Sequence, residues 1–183
     1  GNLSVMYPMI TSEEELDEIR EKILLKRAKK RAMHLLEDMD RTESALREKL
    51  KAGQYPENAI GGAIEYVRSF GYLDDARYAE NFVMSRKDTK SKREIKALLS
   101  QKGVSDDLIC LAFEQCYSED SEEEAIRRIL RKKKVDPERM EEQEYQKILG
   151  YLARKGFRYE VIRHVISDYD KQSNCTLPCQ SLR

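Results

Sequence analysis

Acid–base or nucleophilic chemistry needs a positioned set of histidine, cysteine or carboxylate side chains, and this chain offers two histidines and four cysteines. His34 lies between Met33 and Leu35, and His164 between Arg163 and Val165; both read as surface or boundary side chains rather than catalytic bases. Cys110 and Cys116 fall within a helical pattern and read as small buried apolar groups. Cys175 and Cys179 supply two thiols with no nearby histidine, short of the four ligands a structural zinc takes. Asp74-Asp75 could suggest a metal pair, but capping and the helix dipole explain both carboxylates at a helix start. GxSxG, HExxH, GxxxxGK[ST] and GxGxxG are all missing. The expectation is a protein without catalytic residues, cofactor or metal.

What is left as chemistry is positive charge in local patches. One run is Lys26, Arg27, Lys29, Lys30 and Arg31; a second is Arg86, Lys87, Lys90, Lys92, Arg93 and Lys96; a third is Arg127, Arg128, Arg131, Lys132, Lys133 and Lys134. Any one of them reads first as a solvated helix face. Three together suggest a grip on phosphates or on an acidic protein surface. The chain as a whole carries 34 basic and 34 acidic side chains, so no global field draws it onto nucleic acid or anionic lipid. Acidic segments such as Glu119-Asp120 with Glu122–Glu124 favour docking on a shaped, charged partner over uniform coating of nucleic acid. Residues 60–67 and 108–116 lack an Arg/Asn/Gln cluster aimed at base edges, which argues against sequence-specific DNA reading.

The elements that must position these patches are helices. Strand-like alternation is almost nowhere, and apolar residues recur at helical spacing from a capping start at Thr11-Ser12-Glu13-Glu14-Glu15 through Leu16, Ile19, Ile23, Ala28, Ala32, Leu35, Leu36 and Met39. Further starts are predicted at Thr42, Pro56, Asp74, Ser91 with Glu94, Ser105, Ser121 with Glu124, and Asp136-Pro137; ends are predicted at Gly53, Gly71, Gly103 and Gly156. Caps and glycines interrupt the pattern too often for a coiled coil. Gly61-Gly62 falls within a helix, where small residues allow close helix approach.

Three segments superimpose without gaps: LREKLKAGQYPENAIGGAI from Leu46, IKALLSQKGVSDDLICLAF from Ile95 and ILGYLARKGFRYEVIRHVI from Ile148. Five apolar columns hold throughout, namely Leu46/Ile95/Ile148, Leu50/Leu99/Leu152, Tyr55/Val104/Phe157, Ile60/Ile109/Ile162 and Ile64/Phe113/Ile166. Each copy reads as helix, tight corner, helix, and a preceding helix completes it: the long first helix, Asp75 to about Lys87, and Glu122 to about Lys134. The fold class is therefore all-α, three tandem three-helix repeats in an elongated, curved array. The expected division is 1–11 as a leader, 12–72, 73–117 and 118–172 as repeats, and 173–183 as a loosely ordered tail. The beginning at Gly1 in place of Met reads as a trimmed start.

Gly71-Tyr72-Leu73-Asp74-Asp75-x-Arg77-Tyr78-Ala79-x-x-Phe82-Val83-x-x-Arg86, then Ile95 through Lys102-Gly103-Val104, then Tyr151-Leu152-Ala153-Arg154-Lys155-Gly156-Phe157, resemble in this order and spacing the RecX regulatory proteins of bacteria. The similarity runs from Ala32 to Ile166. The chain departs from the family pattern at Asp88-Thr89-Lys90-Ser91-Lys92-Arg93, where a Gly-containing link is common, and at Leu98, where Glu is common. The resemblance implies a non-enzymatic modulator of the RecA recombinase in recombination, DNA repair and the SOS response. Such proteins lie along the RecA filament on single-stranded DNA and limit its growth, ATP hydrolysis, strand exchange and co-protease activity. The expected contacts to partner or DNA are Arg86, Lys92, Arg93, Lys96, Arg127, Arg128, Arg131, Lys132, Arg154 and Lys155. A cytoplasmic monomer with weak direct DNA contact and no membrane association is expected. The alternative is a helical nucleic-acid-binding protein that acts without RecA.

Overall fold

The computed structural model describes residues 12–135 and 140–173, and among these residues it contains nine helices and no strand. The chain forms two compact units that divide after Asp75. The first holds α1 (Glu13–Asp38), α2 (Glu43–Ala52) and α3 (Glu57–Ser69). The second holds nearly all of α4 (Asp75–Arg86), then α5 (Lys92–Gln101), α6 (Asp106–Cys116), α7 (Glu119–Lys133), α8 (Glu142–Arg154) and α9 (Tyr159–Ser173). These are three successive three-helix domains.

Local chemistry starts most helices where the sequence predicts. The hydroxyls of Ser12, Thr42 and Ser91 accept from the backbone N–H groups of Glu15, Ala45 and Glu94 at 3.2, 3.2 and 3.1 Å. Pro56 stands just before α3 rather than at its first position. α7 corrects the expected start at Ser121: Ser118 precedes the helix, and its N–H donates to Ser121 Oγ at 3.4 Å. Two serines three apart can satisfy each other, so the helix begins before Ser121. The expected start at Asp136-Pro137 and the cysteines Cys175 and Cys179 lie outside the described residues.

The corner that joins the second and third helices of each domain is the same object three times. Gln54, Gly103 and Gly156 occupy one repeat position, and all three take positive φ, at 60°, 78° and 91°. The next residue donates back across the helix end each time: Tyr55 N to Leu50 O at 3.4 Å, Val104 N to Leu99 O at 3.2 Å and Phe157 N to Leu152 O at 3.2 Å. Gly53 does end α2, but its φ is −79°, and the left-handed residue is Gln54. Of the fifteen residues in the five repeat columns all but Tyr55 are buried, and Tyr55 packs against the core of the first unit.

Two expectations about burial do not hold. Ala28, Ala32 and Leu35 bury the second half of α1, while Leu16, Ile19 and Ile23 are exposed. α1 has 26 residues against 13 in α3 and 10 in α2, so the shorter partners cannot cover its whole length at 1.5 Å per residue. Cys110 is exposed and Cys116 half-buried, rather than both buried. The buried stripe of α6 is Ile109, Ala112 and Phe113, which leaves Cys110 on the solvent side. Of the paired glycines only Gly62 makes a close approach: a Cβ there would lie 2.7 Å from Leu25 Cδ1, whereas one at Gly61 would meet nothing within 4 Å.

In the second unit, residues of the second and third domains meet directly. Ser91 Oγ donates to the Lys155 carbonyl at 2.6 Å, and a Cβ on Gly156 would stand 3.0 Å from Arg93 Cβ. This seam sets the basic residues of α5 beside those around the α8–α9 corner.

Candidate partner-binding site

The ten basic residues singled out in the sequence differ sharply in what they touch. Four are engaged by carboxylates: Lys96 with Asp106 at 3.3 Å, Arg127 with Glu123 at 2.9 Å, Arg131 with Glu124, and Lys155 more distantly with Glu94 at 4.0 Å. Two lie over rings, Arg86 over Phe82 at 5.3 Å and Lys92 over Phe113 at 5.1 Å. Arg93, Arg128, Lys132 and Arg154 are exposed and have no carboxylate partner among the described residues.

α7 shows why. It starts acidic and ends basic, so carboxylates of its early turns meet guanidinium groups one or two turns on: Glu123 reaches Arg127, and Glu124 reaches Arg131. Arg128 and Lys132, also four apart, form a neighbouring row that no carboxylate among the described residues answers. That row opens on a cleft of about 590 Å³, lined by Arg128, Ile129, Lys132 and Lys133 of α7, Thr89, Tyr151 of α8 and Lys155. Among the described residues no carboxylate lines it. Lys133 Nζ stands 4.1 Å from the centre of the Tyr151 ring, which fixes an ammonium at the cleft wall. The cleft thus gathers Arg128, Lys132 and Lys155 of the expected contacts and adds Lys133 and Tyr151. Lys133 was visible in the basic run, but its pairing with Tyr151 crosses from one helix to another and is not carried by local spacing. Arg86, Arg127, Arg131 and Arg154 do not line this cleft; Lys92, Arg93 and Lys96 line a different one.

At the opposite end of α7 a buried carboxylate ties the third domain together. Glu122 is 4% exposed and accepts from both the backbone N–H and Nε of Arg158, each at 2.9 Å. Burial first, and the Glu122 charge second, push the Tyr117 hydroxyl up to about 12. The Lys92 backbone pulls it partly back without meeting hydrogen-bond geometry, so Tyr117 Oη is buried with no partner. In the first unit burial also raises Asp75, although the Glu43 N–H donates to its Oδ1 at 2.9 Å and works the other way.

Both histidines are exposed: His34 Nδ1 lies 3.8 Å from Glu37, and His164 Nε2 lies 3.3 Å from Asp168 and 3.8 Å from Glu123. Among the described residues no group of three or more His, Cys, Asp or Glu is gathered to hold a metal, and no helix is long and apolar enough to cross a membrane.

Models of the first, second and third three-helix domains of RecX match residues 28–66, 74–112 and 120–166 in that order. A regulatory protein RecX from Clostridium perfringens is 30% identical over 159 residues, covering 84% of this chain and 73% of the relative. The chain belongs to the RecX family of regulatory proteins. Another RecX, from Caldanaerobacter subterraneus subsp. tengcongensis, is 34% identical over 143 residues, 78% of this chain and 70% of its own length. A crystal structure of regulatory protein RecX superimposes with a TM-score of 0.76 at 25% identity, over 88% of this chain and 82% of the other. That of RecX from Lactobacillus salivarius shares the fold at a TM-score of 0.67 and 22% identity, over 82% and 99% of the two chains. The RecX domain models fall on the same three helix triplets that carry the repeat columns.

Proposed function

We propose that this protein regulates the RecA recombinase by binding its filament on single-stranded DNA, and that it restrains ATP hydrolysis, strand exchange and co-protease activity without catalysing a reaction of its own. The observation that carries this reading is the ordered match of three RecX domains on a chain whose described residues assemble no catalytic constellation. The cleft of Arg128, Lys132, Lys133 and Lys155 supports it, because its described lining residues present four cations and no carboxylate to an acidic filament face or to the DNA phosphates. A cytoplasmic site of action and a monomeric state fit this role.

The test is the DNA-dependent ATPase of RecA, measured over a range of ratios of this protein. Inhibition accompanied by co-sedimentation with the filament is expected; an unchanged rate at every ratio, with no co-sedimentation, rejects the proposal. The cleft also suits a reading in which the protein binds nucleic acid alone. That reading requires tight, steeply salt-dependent binding of a bare oligonucleotide near physiological salt.

A further inference from the structure

A second opening, of about 610 Å³, lies within the second unit, where α5 and α6 face the start of α7 and the turn before α9. Its buried wall is Ile109 and Phe113, with the Tyr117 ring packed edge-on against Phe113 at 5.5 Å, and Cys110 marks its exposed lip. Cations from one turn of α5 line the other side. Arg93 has no carboxylate partner among the described residues, Lys92 lies over the two rings, and Lys96 holds only an exposed pairing with Asp106. Two carboxylates also line the opening: Glu122 is committed to Arg158, and Glu114 is exposed.

We propose that this cleft docks a protein segment in which one large apolar side chain is flanked by carboxylates. The size suits an aromatic or long aliphatic anchor with its neighbours. Above the buried floor of Ile109 and Phe113, Cys110, the Tyr117 ring and the aliphatic stems of Lys92 and Arg93 supply the apolar contact, while the charged ends of Arg93 and Lys92 face acidic flanks. Nucleic acid is the poorer occupant. A phosphate backbone gains nothing from the apolar recess formed by Cys110 and the Tyr117 ring, in contrast to the cleft beside α7, where the described lining residues present four cations and no carboxylate. The two clefts thus divide the work: one offers bare charge to a polyanion, the other an apolar anchor point to a protein. The inference rests on the reading of this chain as a regulator that acts by binding another protein.

The experiment uses the whole protein and a fluorescein-labelled synthetic peptide with one Phe flanked by Asp and Glu. Binding is followed by anisotropy, and occupancy by the rate at which iodoacetamide alkylates Cys110, read by mass spectrometry. Saturable binding that slows Cys110 alkylation is expected, with affinity reduced about tenfold by Arg93→Glu, by Cys110→Trp, and by replacing the peptide's Phe with Ala. Cys110 is exposed, so Cys110→Trp fills the lip without touching the core. Binding that survives both protein variants, or protection of Cys110 by oligothymidylate and not by the peptide, overturns the inference. The RecA ATPase assay on the same preparations separates the two levels. Inhibition by the wild type without peptide binding removes the cleft assignment alone, whereas peptide binding without any effect on the ATPase sustains the cleft and removes the regulatory role.

Discussion

Glu122 carries more of the third domain than its single charge suggests, because it is buried and spends both oxygens on Arg158. Glu122→Ala leaves a backbone N–H and a guanidinium without that acceptor and is expected to cost about 2–3 kcal/mol in urea unfolding, with Glu122→Gln at roughly half that. Arg158→Ala should cost a similar amount, about 2–3 kcal/mol, because it leaves the buried Glu122 carboxylate without its guanidinium while only the backbone N–H of residue 158 still donates to it. Tyr117 gives a test in pH. Its hydroxyl is held up to about 12, while the unfolded chain releases the same proton near pH 10. Between those values the native state holds more protons than the unfolded one, so stability falls as pH rises through that window and is unaffected below it. Tyr117→Phe should remove that share of the alkaline loss and be neutral or slightly stabilising at pH 7, because the hydroxyl it deletes has no partner. Denaturant midpoints for both proteins, followed from about pH 8 to about pH 12, check the slope.

Corner and helix behave as exchangeable parts across the three domains, which makes them predictable. Gln54 holds a left-handed backbone that glycine holds at the two equivalent corners, so Gln54→Gly should raise the thermal midpoint, with a gain of about 0.5–1 kcal/mol after the entropy of the unfolded glycine is counted. The corners, caps and buried columns were legible in the sequence because each depends on neighbours within one turn or on a repeating pattern. The exposed half of α1 and the solvent side of Cys110 were not. Apolar periodicity describes a face but not whether a partner is long enough to cover it, nor which of two adjacent helical residues lies at the edge of the stripe. The charge of α7 was legible as composition and illegible as function: Arg127 and Arg131 look like Arg128 and Lys132 until the carboxylates one and two turns earlier are placed. Removing Arg128 and Lys132 together by substitution with Gln should weaken filament association about tenfold and lower its salt slope by about two. The same change at Arg127 and Arg131 should mainly cost up to about 1 kcal/mol of stability. Salt-titrated co-sedimentation distinguishes the two pairs.

At the scale of the whole molecule, three equivalent domains do not make three equivalent units: each closes on its own buried core, yet the second and third lie within one compact unit. Their seam includes Ser91 Oγ on the Lys155 carbonyl, Gly156 against the Arg93 side chain, and Lys155 Nζ 4.0 Å from Glu94. Gly156→Ala combines a side chain at φ 91° with a Cβ placed 3.0 Å from Arg93 Cβ and 3.1 Å from Ser91 Oγ, so neither rotation nor a small shift relieves it without disturbing that hydrogen bond. The expected cost is about 1–3 kcal/mol. If the seam couples the two domains, the loss belongs to the unit and not to one corner. Hydrogen exchange should then accelerate together in α5, α6, α8 and α9, while the core helices α2 and α3 keep their protection. Acceleration confined to α8 and α9 would show that the second and third domains open independently, as nearest-neighbour repeats with a weak interface do. Both clefts are bordered by residues from each side of this seam, so the same variant should lose filament association in step with the loss of coupled protection.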